Sequence, residues 1–173
     1  MSDLVVLETE RLVLSGWHND QLDDLVRLHS DPLVARYLDA DGQPWTREKA
    51  ATRLALWHDN FTQCRMGKLR VTQKSDGVFV GRAGFGLHGE SQEPEIGYAL
   101  LAEHQGKGYA TEAAAGLRDW IFRATAWDYF LGFADTRNTP SLAVLARIGM
   151  IRTHVGLLDD QECQFHIYHR PTT

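Results

Sequence analysis

Cysteine is scarce in this sequence: Cys64 and Cys163 are the only two, and they lie far apart. No C-x-x-C pair and no Cys/His ligand spacing occurs, so no zinc or other metal site is expected, and both thiols are expected to be free and buried. Long apolar runs are missing as well; nothing approaches the roughly 20 residues that span a bilayer. The opening MSDLVVLETERL lacks a basic segment followed by an apolar one, so no secretory signal is read and a soluble, cytoplasmic protein is expected. Basic residues are in deficit, 18 Lys and Arg against 23 Asp and Glu, a formal net charge of −5. Broad nucleic-acid binding needs a basic surface that neutralises phosphates, so that class is set aside, as is a membrane partner. The acidic balance favours cationic partners, amines among them. Repeats, low-complexity tracts and Pro/Gly/Ser-rich linkers are also absent. The 173 residues, 43% hydrophobic and 24% charged, suit one globular domain with a real core, expected over residues 1–173.

What is present is a run of alternating periodicities. ETERLVLSGW alternates as a first strand. Asn19 or Asp20 is placed to cap a helix with Leu22, Leu25, Val26 and His29 on one side, and Pro32 interrupts it. After the polar loop DADGQPW, Thr46 caps a second helix, where Ala50, Leu54, Trp57 and Phe61 recur at helical spacing. KLRVTQ, VFVGRAGFG and EIGYALL are β-prone, joined by the hairpin signal KSDG and a longer GESQEPE loop. From Tyr109 the period turns helical through Ala113, Leu117, Trp120 and Ile121, and WDYFLGFAD reads as a buried strand. Thr139-Pro140 is a helix start, the hydroxyl capping and proline first, and Gly149 suits a left-handed stop. MIRTHVG and QFHIYHR close the chain as strands. The expected order, β-α-α-β-β-β-α-β-α-β-β, is a mixed α/β sheet flanked by helices.

The stretch EHQGKGYATEA joins a strand to a helix through two glycines. It is not a Walker loop, because Gly108 stands where Ser or Thr would follow the lysine. It is not a dinucleotide fingerprint either, since residue 111 is Thr where the third glycine belongs. What survives is a strand, a glycine turn and a helix N-terminus, whose free N–H groups from Gly106 to Thr111 can all face one anion. A purely structural tight turn has the same local pattern.

The surrounding residues add a resemblance. Gln105, Gly108 and Ala110 fit the Q/R-x-x-G-x-G/A signature. Thr9-Glu10-Arg11-Leu12, Glu95-Ile96-Gly97-Tyr98, Gly106 through Ala113, Asn138, Ser141, Leu145 and Gly149 follow in order. Over nearly its whole length the chain resembles the GNAT superfamily of acyl-CoA N-acetyltransferases, and most closely the ribosomal-protein-alanine N-acetyltransferase type. The resemblance implies a mostly antiparallel, twisted sheet, splayed between its fourth and fifth strands and flanked by about four helices, with acetyl-CoA in the gap and no metal. It implies that Tyr98, Ala99 and Leu100 face the pantetheine arm and acetyl group. Gln105 falls within the same signature, and Gly106, Lys107, Gly108, Tyr109, Ala110 and Thr111 fall at the pyrophosphate site. Asn138 falls at a cofactor-bonding position, or is a cap before the helix.

Such enzymes pass the acetyl group directly to a neutral amine. An α-amino group with a pKa near 8 is roughly 10% neutral at pH 7, and a lysine below about 0.1%, a difference of about 3–4 kcal/mol. By the same resemblance a protein N-terminal α-amino group is the first expected acceptor, and a small-molecule amine (aminoglycoside, polyamine or amino acid) the second. Glu95 is the expected base, directly or through water, although Glu93-Pro94-Glu95 leaves open which carboxylate acts. Leu145 stands where many members carry a tyrosine, which leaves Ser141 as proton donor or as an ordinary first-turn residue. Ser15 replaces the group's usual arginine. Tyr37 and Trp45 flank the substrate-pocket loop and either stack on substrate or pack. Trp57 and Trp120 are expected in the core, and His154, His166 and His169 on the sheet surface. A CoA-binding sensor without catalysis is the competing class; monomer or homodimer is expected.

Overall fold

A computed structural model describes residues 4–173. Among them, eight strands form one sheet in the order β1-β2-β3-β4-β5-β6-β8-β7. The N-terminal run holds two strands rather than one, β1 (Val5–Glu8) and β2 (Leu12–Ser15). Thr9 makes the break: its N–H donates to the Leu12 carbonyl at 2.9 Å and its hydroxyl accepts from Leu12 N–H at 3.1 Å, closing a turn with Glu10 and Arg11 at the tip.

The first helix, α1 (Leu22–Ser30), follows a single 3-10 turn, Asn19–Gln21. There Gln21 Oε1 accepts from His18 N–H at 2.9 Å, so capping falls to His18 and Gln21 instead of Asn19 or Asp20. Pro32 forces Asp31 into extended backbone and opens a short helix, α2 (Pro32–Ala35). Thr46 Oγ1 accepts from Lys49 N–H and starts α3 (Arg47–Cys64), which buries Ala50, Leu54, Trp57 and Phe61.

The hairpin from β3 (Gly67–Gln73) to β4 (Phe79–His88) turns at KSDG, with Gly77 at φ 72°. β5 (Glu93–Leu100) starts two residues earlier than its apolar pattern suggests. Pro94 sits inside it opposite Leu87, at the edge where β6 has not yet joined. Then come α4 (Tyr109–Ala124), β6 (Tyr129–Asp135), α5 (Thr139–Arg147), β7 (Ile151–Leu158) and β8 (Gln161–His169). The cap of α5 is Asn138, whose Oδ1 accepts from Ser141 N–H at 3.4 Å; Thr139 is the first helical residue, so this start lies one residue earlier than expected.

Each sheet face has its own core. One packs Leu14, Leu69, Val71, Phe85 and Ile96 against α4 and α5, with Trp120 and Leu145 buried in it. The other packs Trp17, Phe79, Ala99 and Leu101 against Leu25, Leu28, Leu54 and Trp57 of α1 and α3. No helix of the described residues is long and apolar enough to cross a membrane. Cys163 is buried, but Cys64 at the end of α3 is exposed, contrary to expectation.

The feature that positions the site is the junction of β5 and β6. These strands run parallel and pair only at Glu95↔Leu131 and Ile96↔Gly132; beyond that, β6 stays with β8 along its whole length and β5 stays with β4. The sheet opens into a V. Counted in this chain, the splay lies between the fifth and sixth strands, because the first expected strand is two.

Candidate active site

The V leaves one edge of β5 unpaired. Leu101 N–H donates to the Val80 carbonyl at 2.9 Å, so alternation turns the peptide groups of Ala99 and Gly97 toward β4 and those of Tyr98 and Leu100 into the opening. Gln105 Nε2 reaches the Leu100 carbonyl at 3.0 Å, as that direction requires. Ala99, grouped with Tyr98 and Leu100 in the sequence reading, can offer the gap only its methyl group.

Below the V, β5 leads through a 3-10 turn (Ala102–His104) to Gly106 and Gly108, at φ 75° and 81°, and then α4. These left-handed angles suit glycine. The first hydrogen bond of α4 is Glu112 N–H to the Gly108 carbonyl at 3.0 Å, so the N–H groups of residues 106–111 have no internal acceptor among the described residues. The loop is held from behind by the β1–β2 turn. Glu112 accepts from Thr9 Oγ1 at 2.6 Å and from Arg11 N and Nε at 2.7 Å each, and Arg11 Nη1 donates to the Lys107 carbonyl at 3.0 Å. Burial works to raise the pKa of Glu112, but those donors outweigh it and hold the carboxyl below its usual range. Tyr109 Oη adds a bond to Gln73 Oε1 at 2.6 Å. Thr9, Arg11 and Glu112 thus convert a glycine turn into a fixed set of outward N–H groups.

On the α1/α3 face, Gly84, Gly86 and Gly97 clear the sheet floor. A Cβ on Gly97 would stand 2.6 Å from Lys68 Nζ, and one on Gly86 3.5 Å from Glu95 Oε2. Into that space Lys68 brings its ammonium, 3.2 Å from the Gly84 carbonyl and 3.5 Å from Glu95 Oε2. Burial pushes the Lys68 pKa down, and the Glu95 carboxylate opposes the shift. Beside them Arg82 Nε donates to His29 Nε2 at 3.1 Å. Burial first, then the Arg82 charge, lower the His29 pKa to about 2, so its ring is neutral. The ring lies on Trp45, centroids 3.6 Å apart and planes 5° apart, and Trp45 Nε1 donates to Asp39 at 2.6 Å.

On the α5 wall, Tyr98 Oη donates to the Ser141 carbonyl at 2.8 Å and accepts from Ser141 Oγ at 3.1 Å. Burial raises the Tyr98 pKa further beyond its ordinary value. Leu145 is only 1% exposed and packs as core.

All the expected site residues except Lys107 line one groove of about 1300 Å³. Lys107 is exposed at the back of the loop. Glu95 lines the groove, whereas Glu93 is outside it, accepting from Tyr129 Oη at 2.6 Å. Trp45 is fixed by His29 and Asp39, and Tyr37 lies between the guanidinium groups of Arg36 and Arg137, 4.9 and 5.5 Å from its ring centre. Asn138 faces the groove but spends its side-chain oxygen on the helix cap. Sequence reasoning missed Lys68, Arg82, His29 and Asp39; the signal that could have found the first is the period-2 glycine spacing in GRAGFG, which empties one strand face. No cluster of three or more metal-ligating side chains occurs among the described residues.

A parallel pair that opens into a V above a helix start with free N–H groups is the arrangement expected of an acyl-CoA N-acetyltransferase. Residues 11–151 match the acetyltransferase (GNAT) domain family, and the chain belongs to that family. It is 30% identical over 158 residues to an uncharacterized N-acetyltransferase, p20, of Bacillus licheniformis, covering 90% of this chain and 86% of that one. An acetyltransferase of Agrobacterium tumefaciens superimposes with a TM-score of 0.83 at 26% identity, over 98% of this chain and 97% of the other. The RimL ribosomal L7/L12 α-N-protein acetyltransferase, solved with coenzyme A, superimposes with a TM-score of 0.80 at 14% identity, over 96% and 98%. The protein is an acyltransferase of a family that uses acetyl-CoA.

Proposed function

We propose that the protein transfers an acetyl group from acetyl-CoA directly to a primary amine, and that the acceptor is a protein N-terminal α-amino group. The observation that carries this reading is the unpaired edge of β5, where the peptide groups of Tyr98 and Leu100 face the V in the groove that Glu95 also lines. The likeness to an α-N-protein acetyltransferase supports the choice of acceptor.

In this reading the acyl arm lies in the V against Tyr98 and Leu100, and the N–H groups of residues 106–111 hold the pyrophosphate. Leu100 N–H polarises the acetyl carbonyl. The amine nitrogen bonds to that carbon, the carbon–sulfur bond breaks, and CoA departs as a thiolate. Glu95, directly or through one water, takes the amine proton. Ser141, whose hydroxyl rests on Tyr98, is the donor on the leaving-group side; rotation about its Cα–Cβ bond frees that hydrogen.

Glu95→Gln tests the assignment. It is expected to lower kcat by about 10²-fold or more while the acetyl-CoA Kd, measured by calorimetry, stays within about threefold. Release of free CoA is followed across a panel of peptides and small amines. A Glu95→Gln enzyme with wild-type kcat from about pH 6 to 9 would remove Glu95 as the base.

A further inference from the structure

The acceptor half of the groove carries more positive charge than its own carboxylates match. Arg53, Lys68 and Arg82 stand there against Asp39 and Glu95, and Lys49 reaches Asp39 from outside the groove lining. Asp39 is taken up by Lys49 at 2.7 Å and Trp45 at 2.6 Å, and Glu95 by Lys68 at 3.5 Å. Arg53 and Arg82 are left without an ion-pair partner among the described residues. Arg82 is the more telling, because it is 6% exposed and its only side-chain hydrogen bond among the described residues, from Nε, goes to a neutral histidine. A guanidinium so far out of water is costly unless an anion meets it. Its two Nη nitrogens have no protein acceptor among the described residues and are not sealed from solvent; Arg82 lines the groove. Burial lowers its pKa only to about 10, so the charge persists at neutral pH.

Two aromatic rings fix the cations in place. Arg82 Cζ lies 5.2 Å from the ring centre of Trp57, and Arg53 Cζ 5.9 Å from that of Trp45; the indoles are 6.2 Å apart. Arg53 and Trp57 are one turn apart on α3, so they share a helix face. On the sheet, Arg82 pairs with Ala99 and Gly86 with Glu95, which sets the two functional side chains about 14 Å apart at their Cα rows, at ~3.4 Å per residue. Lys68 lies between them.

We propose that Arg82 and Arg53 form a carboxylate-binding site, so that the preferred acceptor is an amine bearing a carboxylate: its nitrogen faces Glu95 and its carboxylate the two guanidinium groups. This rests on the acetyl transfer proposed above, not on its protein acceptor. Free amino acids and peptides with an acidic first residue both carry that chemistry, whereas polyamines and aminoglycosides bring further positive charge to an already cationic wall.

The test compares acceptors in pairs, at saturating acetyl-CoA, by release of free CoA. One arm sets free amino acids against their amides. The other sets amidated peptides beginning with Asp or Glu against those beginning with Asn or Gln. In at least one arm the carboxylate member is expected to have a kcat/KM about tenfold or more above its partner, and that arm identifies the source. Arg82→Gln and Arg53→Gln are each expected to collapse the ratio. Arg53 is exposed on α3, so its variant keeps the test decisive if Arg82→Gln folds poorly. Equal kcat/KM within both pairs, a ratio that survives in Arg53→Gln, or turnover confined to amines without a carboxylate overturns the site. Calorimetry separates the two levels: wild-type binding of acetyl-CoA without carboxylate preference sinks this site alone, and no acetyl-CoA binding sinks the transferase reading with it.

Discussion

His29 shows how one buried side chain ties the site to stability. Its Nε2 accepts from Arg82 and its Nδ1 has no hydrogen-bond partner among the described residues, so the folded chain holds the ring neutral, with a pKa lowered to about 2. The unfolded chain takes up a proton below about pH 6.5. Between those values the unfolded state binds more protons, so stability falls as pH falls from about 6.5 toward 2 and is level above it. The loss between about pH 7 and 5 is about 2 kcal/mol. His29→Gln keeps a carboxamide acceptor for Arg82 and does not titrate, so urea midpoints at the two pH values should differ less for it than for wild type. His166, whose pKa burial also lowers, is common to both proteins and cancels. Equal losses in the two would show that His29 is not held neutral. Little of this was legible beforehand. Glu95 stands out because a motif surrounds it, but Lys68 and Arg82 are single basic residues in β-prone runs, and their roles depend on Gly84 and Gly97 from two other positions of the sheet. That Glu95 and not Glu93 lines the groove was likewise hidden, because Tyr129, which holds Glu93, arrives from β6.

At the scale of the element, the decisive unit is the loop between β5 and α4. Lys107 is exposed outside the groove lining and contributes its carbonyl to Arg11; Gly108 contributes a left-handed angle. A Cβ at Gly108 would lie 3.3 Å from Arg11 Nη2, and a β-branched residue at φ 81° is strained by about 1–3 kcal/mol. Gly108→Val should therefore raise the acetyl-CoA Kd by about tenfold or more, and Lys107→Ala by less than about threefold. Titration calorimetry on the two variants decides it, and the reverse order would mean that the lysine charge, not the backbone, holds the anion. This loop and the helices α3 and α4 were legible in the sequence, because caps and a 3.6-residue period are local signals. The break between β1 and β2 was not, since Thr9 closes its turn with a hydroxyl whose second duty, to Glu112, lies 103 residues away. Pro94 misled for a similar reason. A proline inside a strand is acceptable only at an unpaired edge, and which edge is unpaired is a property of the sheet.

Across the whole molecule, the fold sorts charge in a way that composition conceals. The chain carries a net −5, which on its own favours cationic partners, yet six Lys and Arg side chains line the groove against four Asp and Glu. The local and global fields therefore oppose each other for an anionic ligand such as acetyl-CoA. Inside the groove low-dielectric walls focus the local field, whereas the surface charge acts through solvent and over longer distances. If the groove dominates the approach, adding salt screens an attraction; if the surface dominates, salt screens a repulsion. The Debye length shortens from about 30 Å at 0.01 M to about 10 Å at 0.1 M, enough to cut the reach of either field. The free N–H groups of the loop and the excess of cations along the groove favour the first outcome. The association rate of acetyl-CoA, followed by stopped-flow tryptophan fluorescence, should fall about threefold or more over that range, while dissociation changes less. A rate that rises with salt would show that the net −5 governs approach, and that the groove's cations act only after the ligand has arrived.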